Sequence, residues 1–251
     1  MRHWILGVLI ACLVLPVARA QDLPPTEIRL ASEVWPQHTE ADGTGLGWDV
    51  LRKVFEPEGI LIKIRSVPYT RSIGLVQRGD ADAWLGSYRN EVKGVVYPRW
   101  HYDADQVSAL SLASTQAPTL ATIGQYRLVW VRGYDYQDYL PNLRHFGEIQ
   151  RRAGVLSMLD QGHVDFFIDA HTEVDGVLKD SPQPERYRVT LLRSLPLYLG
   201  FADTPRGRHL AEVFDRRMTA LVASGELRPL FKRWKQPYPF DKDLETPHAA
   251  Q

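Results

Sequence analysis

The chain writes one phrase twice. LVQRGDADAWLG, beginning at Leu75, and MLDQGHVDFFID, beginning at Met158, share a grammar. An apolar helical stretch closes on Gln and Gly, an Asp follows that Gly by three positions, and an apolar strand-like run comes next. A helix that stops on glycine and turns into a strand is the ordinary joint of an α/β sheet. Two such joints have two readings. They recur in any α/β chain, or they mark two similarly built halves, each sending the end of a strand toward a shared gap where ligands of open α/β sheets sit. On the second reading residues 85–89 and 169–171 face one another.

The rest of the sequence alternates in the same way. IRLAS reads as a strand, GWDVLRKVFEPEG as a helix with Val50, Leu51, Val54 and Phe55 on one face, and LIKIRSV as a strand. TRSIGLVQRG is a helix capped by Thr70 and ended by Gly79, and ADAWLGS is a strand. The pattern breaks over YPRWHYDAD, residues 97–105, and a longer strand, QVSALSLAS, follows. A second unit runs from YRLVWV through a helix over residues 135–143, the helix AGVLSMLDQG, the strand VDFFID, a helix over residues 171–178 and the strand YRVTLL. After LPLYLGFAD come helices over residues 208–224 and 227–234, and residues 238–251 read as a flexible tail. The expected class is α/β, with mostly parallel sheets flanked by helices.

Residues 1–20 form a separate object. A basic start, an apolar run over residues 4–17 and ARA before Gln21 have the form of a cleaved signal peptide. The run is shorter than the roughly 20 residues that span a bilayer. LIAC at Cys12 matches a lipobox, yet its leader is short and the apolar run continues past it, so cleavage after Ala20 into the periplasm is expected over lipidation. That cleavage leaves 28 basic and 30 acidic residues and removes the one cysteine. Disulfides and thiol chemistry are then excluded, and a near-zero net charge gives no field for nucleic acid.

Signatures of catalysis are missing: there is no G-x-S-x-G, no Gly-rich phosphate loop, and no H-x-x-x-H spacing for a metal. No cofactor or metal is expected. Aromatic residues carry more information. Trp35, Tyr69, Tyr88, Tyr97, Trp100, Tyr102, Tyr134 and Tyr136 fall at predicted strand ends and loops, with Trp84 better placed for the core, and Glu33, Arg71, Arg89 and Arg132 lie among them. This is the composition of an aromatic-walled pocket with a few charged anchors, in which arginine can grip a carboxylate through two parallel hydrogen bonds.

From IRLASEVWPQ through GLGWDVLRKVFEPEGI, VPYTRSIGLVQRGDADAWLGS, VWVRGYDY, SMLDQGHVDFFIDA and LPLYLGFADTPRG to LVASGELRPLFKRW, the chain resembles the family 3 periplasmic solute-binding proteins of amino-acid ABC importers. The resemblance implies a type II periplasmic binding fold of two lobes joined by two crossover hinge strands. Lobe one would hold residues 27–103 and 197–237, lobe two residues 104–196. It also implies a monomer that traps a small carboxylate-bearing polar ligand for an ABC permease, or reports it to a membrane sensor.

Carried over by position, the resemblance makes Glu33 and Asp169 the acids for a ligand ammonium, Trp35 and Tyr69 its aromatic cover, and Gly86, Ser87 and Tyr88 a backbone bonding stretch. Arg132 and Gly133, with Tyr134 beside them, match a turn at a helix start. The family's carboxylate-clamping arginine aligns with Val92, which cannot donate a hydrogen bond, so Arg89 or Arg71 is expected to take over the clamp. The alternative is a cyclohexadienyl-dehydratase-like enzyme on the same scaffold, with Glu33, Asp169 or His171 as acid or base.

Overall fold

The computed structural model describes residues 24–241. The signal-peptide and lipobox readings, and the tail beyond Asp241, lie outside the described residues. Nine strands form one continuous hydrogen-bonded order, β2-β1-β3-β9-β5-β8-β6-β7, with β4 also paired to β9. The strands are β1 (Glu27–Ser32), β2 (Leu61–Ser66), β3 (Ala83–Ser87), β4 (Val95–Val96), β5 (Asp103–Leu112), β6 (Arg127–Val131), β7 (His145–Ile149), β8 (Phe166–Ala170) and β9 (Tyr187–Ala202). The helices are α1 (Leu46–Phe55), α2 (Tyr69–Gln77), α3 (Val155–Asp160), α4 (His171–Lys179), α5 (Pro205–Ser224) and α6 (Arg228–Arg233).

The order divides into two three-stranded parallel groups. β2, β1 and β3 run parallel in one, and β7, β6 and β8 in the other. Between them stands the 16-residue β9. Its first half pairs antiparallel with β5, from Tyr187 opposite Leu112 to Leu197 opposite Asp103, and its second half pairs with β3 from Tyr198 onward. Both groups thus hang on one pair of long strands, and β9 changes partner between Leu197 and Tyr198. Apolar faces of α1 and α5 pack beside the first group, with Val54, Phe55, Leu210 and Phe214 all fully buried.

The repeated phrase has a physical cause. Asp82, three residues after Gly79, accepts the backbone N–H of Arg29 at 2.8 Å and the Arg29 guanidinium at 2.9 Å, and that guanidinium also reaches the Gly79 carbonyl. Asp165, three residues after Gly162, accepts the backbone N–H of Arg127 at 2.8 Å and its guanidinium at 2.7 Å, and Arg127 reaches the Gly162 carbonyl. In each half, then, an aspartate ahead of a strand locks the start of the neighbouring parallel strand and closes the helix-stop turn. The first clamp is deeper: Asp82 is buried and also takes Arg206 from α5.

Three readings need correction. No α-helix forms over residues 135–143; a 3-10 turn, Tyr136–Asp138, stands there instead, and the edge strand β7 follows it. Pro141 carries no N–H and blocks a helix through this stretch, while β7 is too exposed to show an alternating pattern. Thr70 does not cap α2, whose first N–H, from Tyr69, donates to the Glu33 carboxylate at 2.9 Å. The chain from residue 238 onward is not loose at its start, because Phe240 is fully buried against Trp100, His101 and Phe231.

Asp82→Ala is expected to cost about 3 kcal/mol, the scale of a charge-assisted hydrogen bond to a buried partner, whereas Asp165→Ala, at a more exposed clamp, should cost about 1 kcal/mol. Burial alone would raise the Asp82 pKa, but the bonds from Arg29 and Arg206 prevail and hold it below the ordinary carboxylate range. Its contribution is therefore present at neutral pH and lost only as pH falls through that lowered value. Urea melts at pH 7 and pH 3 would read both differences.

Candidate ligand-binding cleft

A cavity of about 50 Å³ lies between the two parallel groups. From the side of β1 and β3 it is lined by Trp35, His38, Tyr69, Gly86, Tyr88 and Glu91. From the other side come Tyr134, Asp169, Ala170, Thr172 and Glu173, and the crossover strands contribute Asp105 and Leu197. The carboxyl ends of β3 and β8 both reach it, as the positions of the two repeated phrases suggest.

Aromatic rings close the cleft from both sides. The Trp35 indole N–H donates to the Tyr134 hydroxyl at 3.1 Å, and Tyr69 meets Tyr134 edge-on with ring centres 6.0 Å apart. Tyr88 packs against Tyr139 at 4.4 Å and donates to Asp105 at 2.9 Å. Two glycines make this approach possible. Gly86 has φ +87°, and a Cβ there would stand 2.3 Å from the Trp35 ring; Gly133 has φ +84°, and a Cβ would stand 2.9 Å from Thr70. Neither position tolerates a side chain without displacing a wall.

The charges lining the cavity are mostly negative. Glu91 collects the Tyr69 hydroxyl at 2.7 Å, the Ser87 hydroxyl at 3.0 Å and the Tyr88 N–H at 2.9 Å. Asp169 is fully buried, and Glu173 is 7% exposed. Arg152, from the loop before α3, bridges them, its Nε 2.8 Å from Asp169 and 3.1 Å from Glu173, while its other arm donates to Tyr134 at 3.0 Å. One Glu173 carboxylate oxygen, Oε1, is buried with no hydrogen-bond partner. His38 bonds Asp103 at 3.0 Å; burial would lower its pKa, but Asp103 prevails and raises it. Burial pushes the Asp105 carboxyl up to about 7 against the Tyr88 hydrogen bond, and pushes Glu173 up to about 7 against Arg152.

Of the twelve residues marked in the sequence, Trp35, Tyr69, Gly86, Tyr88, Tyr134 and Asp169 line the cavity. Ser87 lies behind the wall, orienting Glu91 and bonding Tyr97. Glu33 is occupied at the N-terminus of α2. The arginine clamp needs correction. Arg71 is exposed on α2, Arg89 lies over the Tyr198 ring and donates to the Arg99 carbonyl, and Arg132, 63% exposed, pairs with Glu148. None of the three lines the cavity, because each has solvent or a surface partner that spares it the cost of desolvation. No α-helix starts at Gly133, whose N–H donates to Glu148. Arg152, Glu173, Asp105, Glu91 and His38 escaped the sequence reading. Glu173 had one readable signal, standing four residues after Asp169 across a strand-to-helix joint. Among the described residues no group of three or more His, Cys, Asp or Glu is placed to hold a metal ion.

Solved structures of the same architecture are numerous. The substrate-binding protein of an amino-acid ABC transporter superposes with a TM-score of 0.63 at 14% identity, covering 83% of this chain and 98% of its own. A histidine kinase sensor domain similar to periplasmic binding proteins gives 0.68 at 12%, covering 84% and 96%. An ABC uptake transporter substrate-binding protein from Streptococcus pneumoniae, with bound histidine, gives 0.65 at 15%, covering 83% and 92%. The fold is that of the type II periplasmic binding proteins. No protein-family model matches the sequence, and no curated protein matches it. Within this binding-protein fold the cavity occupies the cleft between the two lobes.

Asp105 and Glu173 carry a stability signature. Their folded-state pKa values lie above the usual carboxylate range, so the folded chain keeps protons that the unfolded chain has released. Their contribution is full below about pH 4 and is lost as pH rises through about 7. Asp105→Asn and Glu173→Gln are each expected to stabilise the protein at pH 8 relative to pH 5 by at least about 1 kcal/mol, the worth of roughly one pKa unit, measured by urea unfolding at both pH values.

Proposed function

We propose that the chain is an extracytoplasmic ligand-binding protein that closes two lobes, residues 27–103 with 197–237 and residues 104–196, over a small polar molecule without altering it. One observation carries the reading: the cleft is walled from both lobes by rings and carboxyl groups that meet across it, so an occupant would touch both halves at once. A ligand with contacts on both lobes stabilises the closed arrangement by its preference for that state. The bending would fall on β5 and β9 near Leu197, where β9 changes partner, the place where a few residues can absorb a rigid-body rotation.

The comparisons support this at the level of fold. Two of the similar proteins described above serve ABC transporters and one is a sensor domain of a histidine kinase, so delivery to a permease and signalling to a membrane partner both fit the architecture. No helix among the described residues is long and apolar enough to cross a membrane.

Purified protein is expected to gain thermal stability with one or a few members of a metabolite library, since a ligand at a hundred times its Kd adds about 2.7 kcal/mol. Tryptophan emission should shift in the same titration, and Trp35→Phe, which removes the bond to Tyr134, should abolish most of that shift. Incubation with prephenate or arogenate should yield no aromatic product. Turnover there would replace this reading with the dehydratase one, with Glu173 or Asp105 as the proton carrier.

A further inference from the structure

The electrostatics of the cleft are wrong for a carboxylate-bearing ligand and right for a cation. We propose that the cavity takes a small organic cation, an alkyl- or arylammonium compound with no carboxylate. The proposal rests on the ligand-binding reading above and names its ligand class.

Four carboxyl groups line the cavity: Glu91 at one end, Asp105 on the crossover strand, and Asp169 and Glu173 at the other end. Among the described residues only Arg152, behind the wall, and His38 oppose them, and His38 is already committed to Asp103. Any carboxylate in this space would meet acids in every direction and no free guanidinium, since Arg71, Arg89 and Arg132 all lie elsewhere. At Val92, the position that would otherwise supply a clamp, the partly buried side chain packs against the apolar cluster that holds Tyr69 and Trp84, and its neighbour Glu91 lines the cavity instead.

The second line of argument is independent of the acid count. Glu173, 93% buried and lining the cavity, leaves Oε1 without any hydrogen-bond partner. A buried carboxylate oxygen left unpaired costs free energy that a donor would recover, and an ammonium group is the donor that also neutralises the charge. The walls fit the same guest, because Trp35, Tyr69, Tyr88, Tyr102 and Tyr134 present ring surfaces to the space, and aromatic rings attract cations through their faces. Arg152 shows the chemistry at work inside the protein: its guanidinium lies 5.7 Å from the centre of the Tyr134 ring while pairing with Asp169 and Glu173. Among the described residues the carboxylates are not gathered as a metal site.

Two matched series decide it, each with one side chain in three charge states: phenethylamine, phenylalanine and 3-phenylpropanoate, and butylamine, norvaline and pentanoate. Calorimetric titration of the purified protein at pH 7.5 is expected to show the amine of at least one series binding ten or more times tighter than its zwitterion, with no binding of the anion. Glu173→Gln and Asp105→Asn, both expected to be at least as stable as the parent, should weaken the amine tenfold or more. Affinity for the amine should rise between pH 5.5 and pH 8, as Asp105 and Glu173 gain their charge, with Glu91, Asp169 and His38 also in the lining and Arg152, Asp103 and Glu33 behind it. Preference for a zwitterion or an anion, or equal affinity for amine and zwitterion, would overturn the cation assignment while leaving a ligand-binding protein. Failure of every charge class in the broad library as well would remove both readings.

Discussion

Backbone hydrogen bonds on β5 and β9 tie the two halves of this molecule together, and the cleft inherits its shape from them. Each strand must satisfy its N–H and C=O groups along its whole length, so β9 cannot leave β5 without finding β3, and it does so within one residue step at Leu197 and Tyr198. On either side of that exchange stands a parallel group whose strand ends point into the same space. The Arg29–Asp82 and Arg127–Asp165 clamps then fix the opposite ends of those strands. Strand ends anchored in this way can hold buried charge at the other end without sagging.

Much of this was written in the residues. The strand-helix alternation, the two glycine-stopped helices and the aspartates three positions beyond them were all visible, as was the tendency of aromatic residues to gather at strand ends. The matching arginines were visible too, since IRL and YRL open the first strand of each half, but only the folded pairing shows that they belong with those aspartates. Less legible was anything that depends on contact across the cleft. Arg152 stands in a stretch without periodicity, and its role arises because Asp169 and Glu173, more than a dozen residues later, need a buried counter-charge. The arginines that looked functional were those beside aromatic residues in sequence, and they proved to be the ones that water already served.

The cleft also concentrates buried charge. Two carboxyl groups with pKa values of about 7 and an unpaired carboxylate oxygen are liabilities gathered in one place. Local discomfort of this kind concentrates where a binding partner completes the arrangement. The contrast with Asp82 is instructive: that aspartate is buried too but has two arginines and a backbone N–H, and its pKa moves in the opposite direction.

The bond from Trp35 to Tyr134 and the edge-on contact of Tyr69 with Tyr134 join the two sides of the cleft directly. Such a seam has a kinetic meaning. If arrival must wait for it to part, capture is slower than free collision, and its rate levels off as ligand is raised, at the frequency with which the seam opens. Escape is held back by the same barrier, so residence time and capture rate would change together when Trp35 is altered.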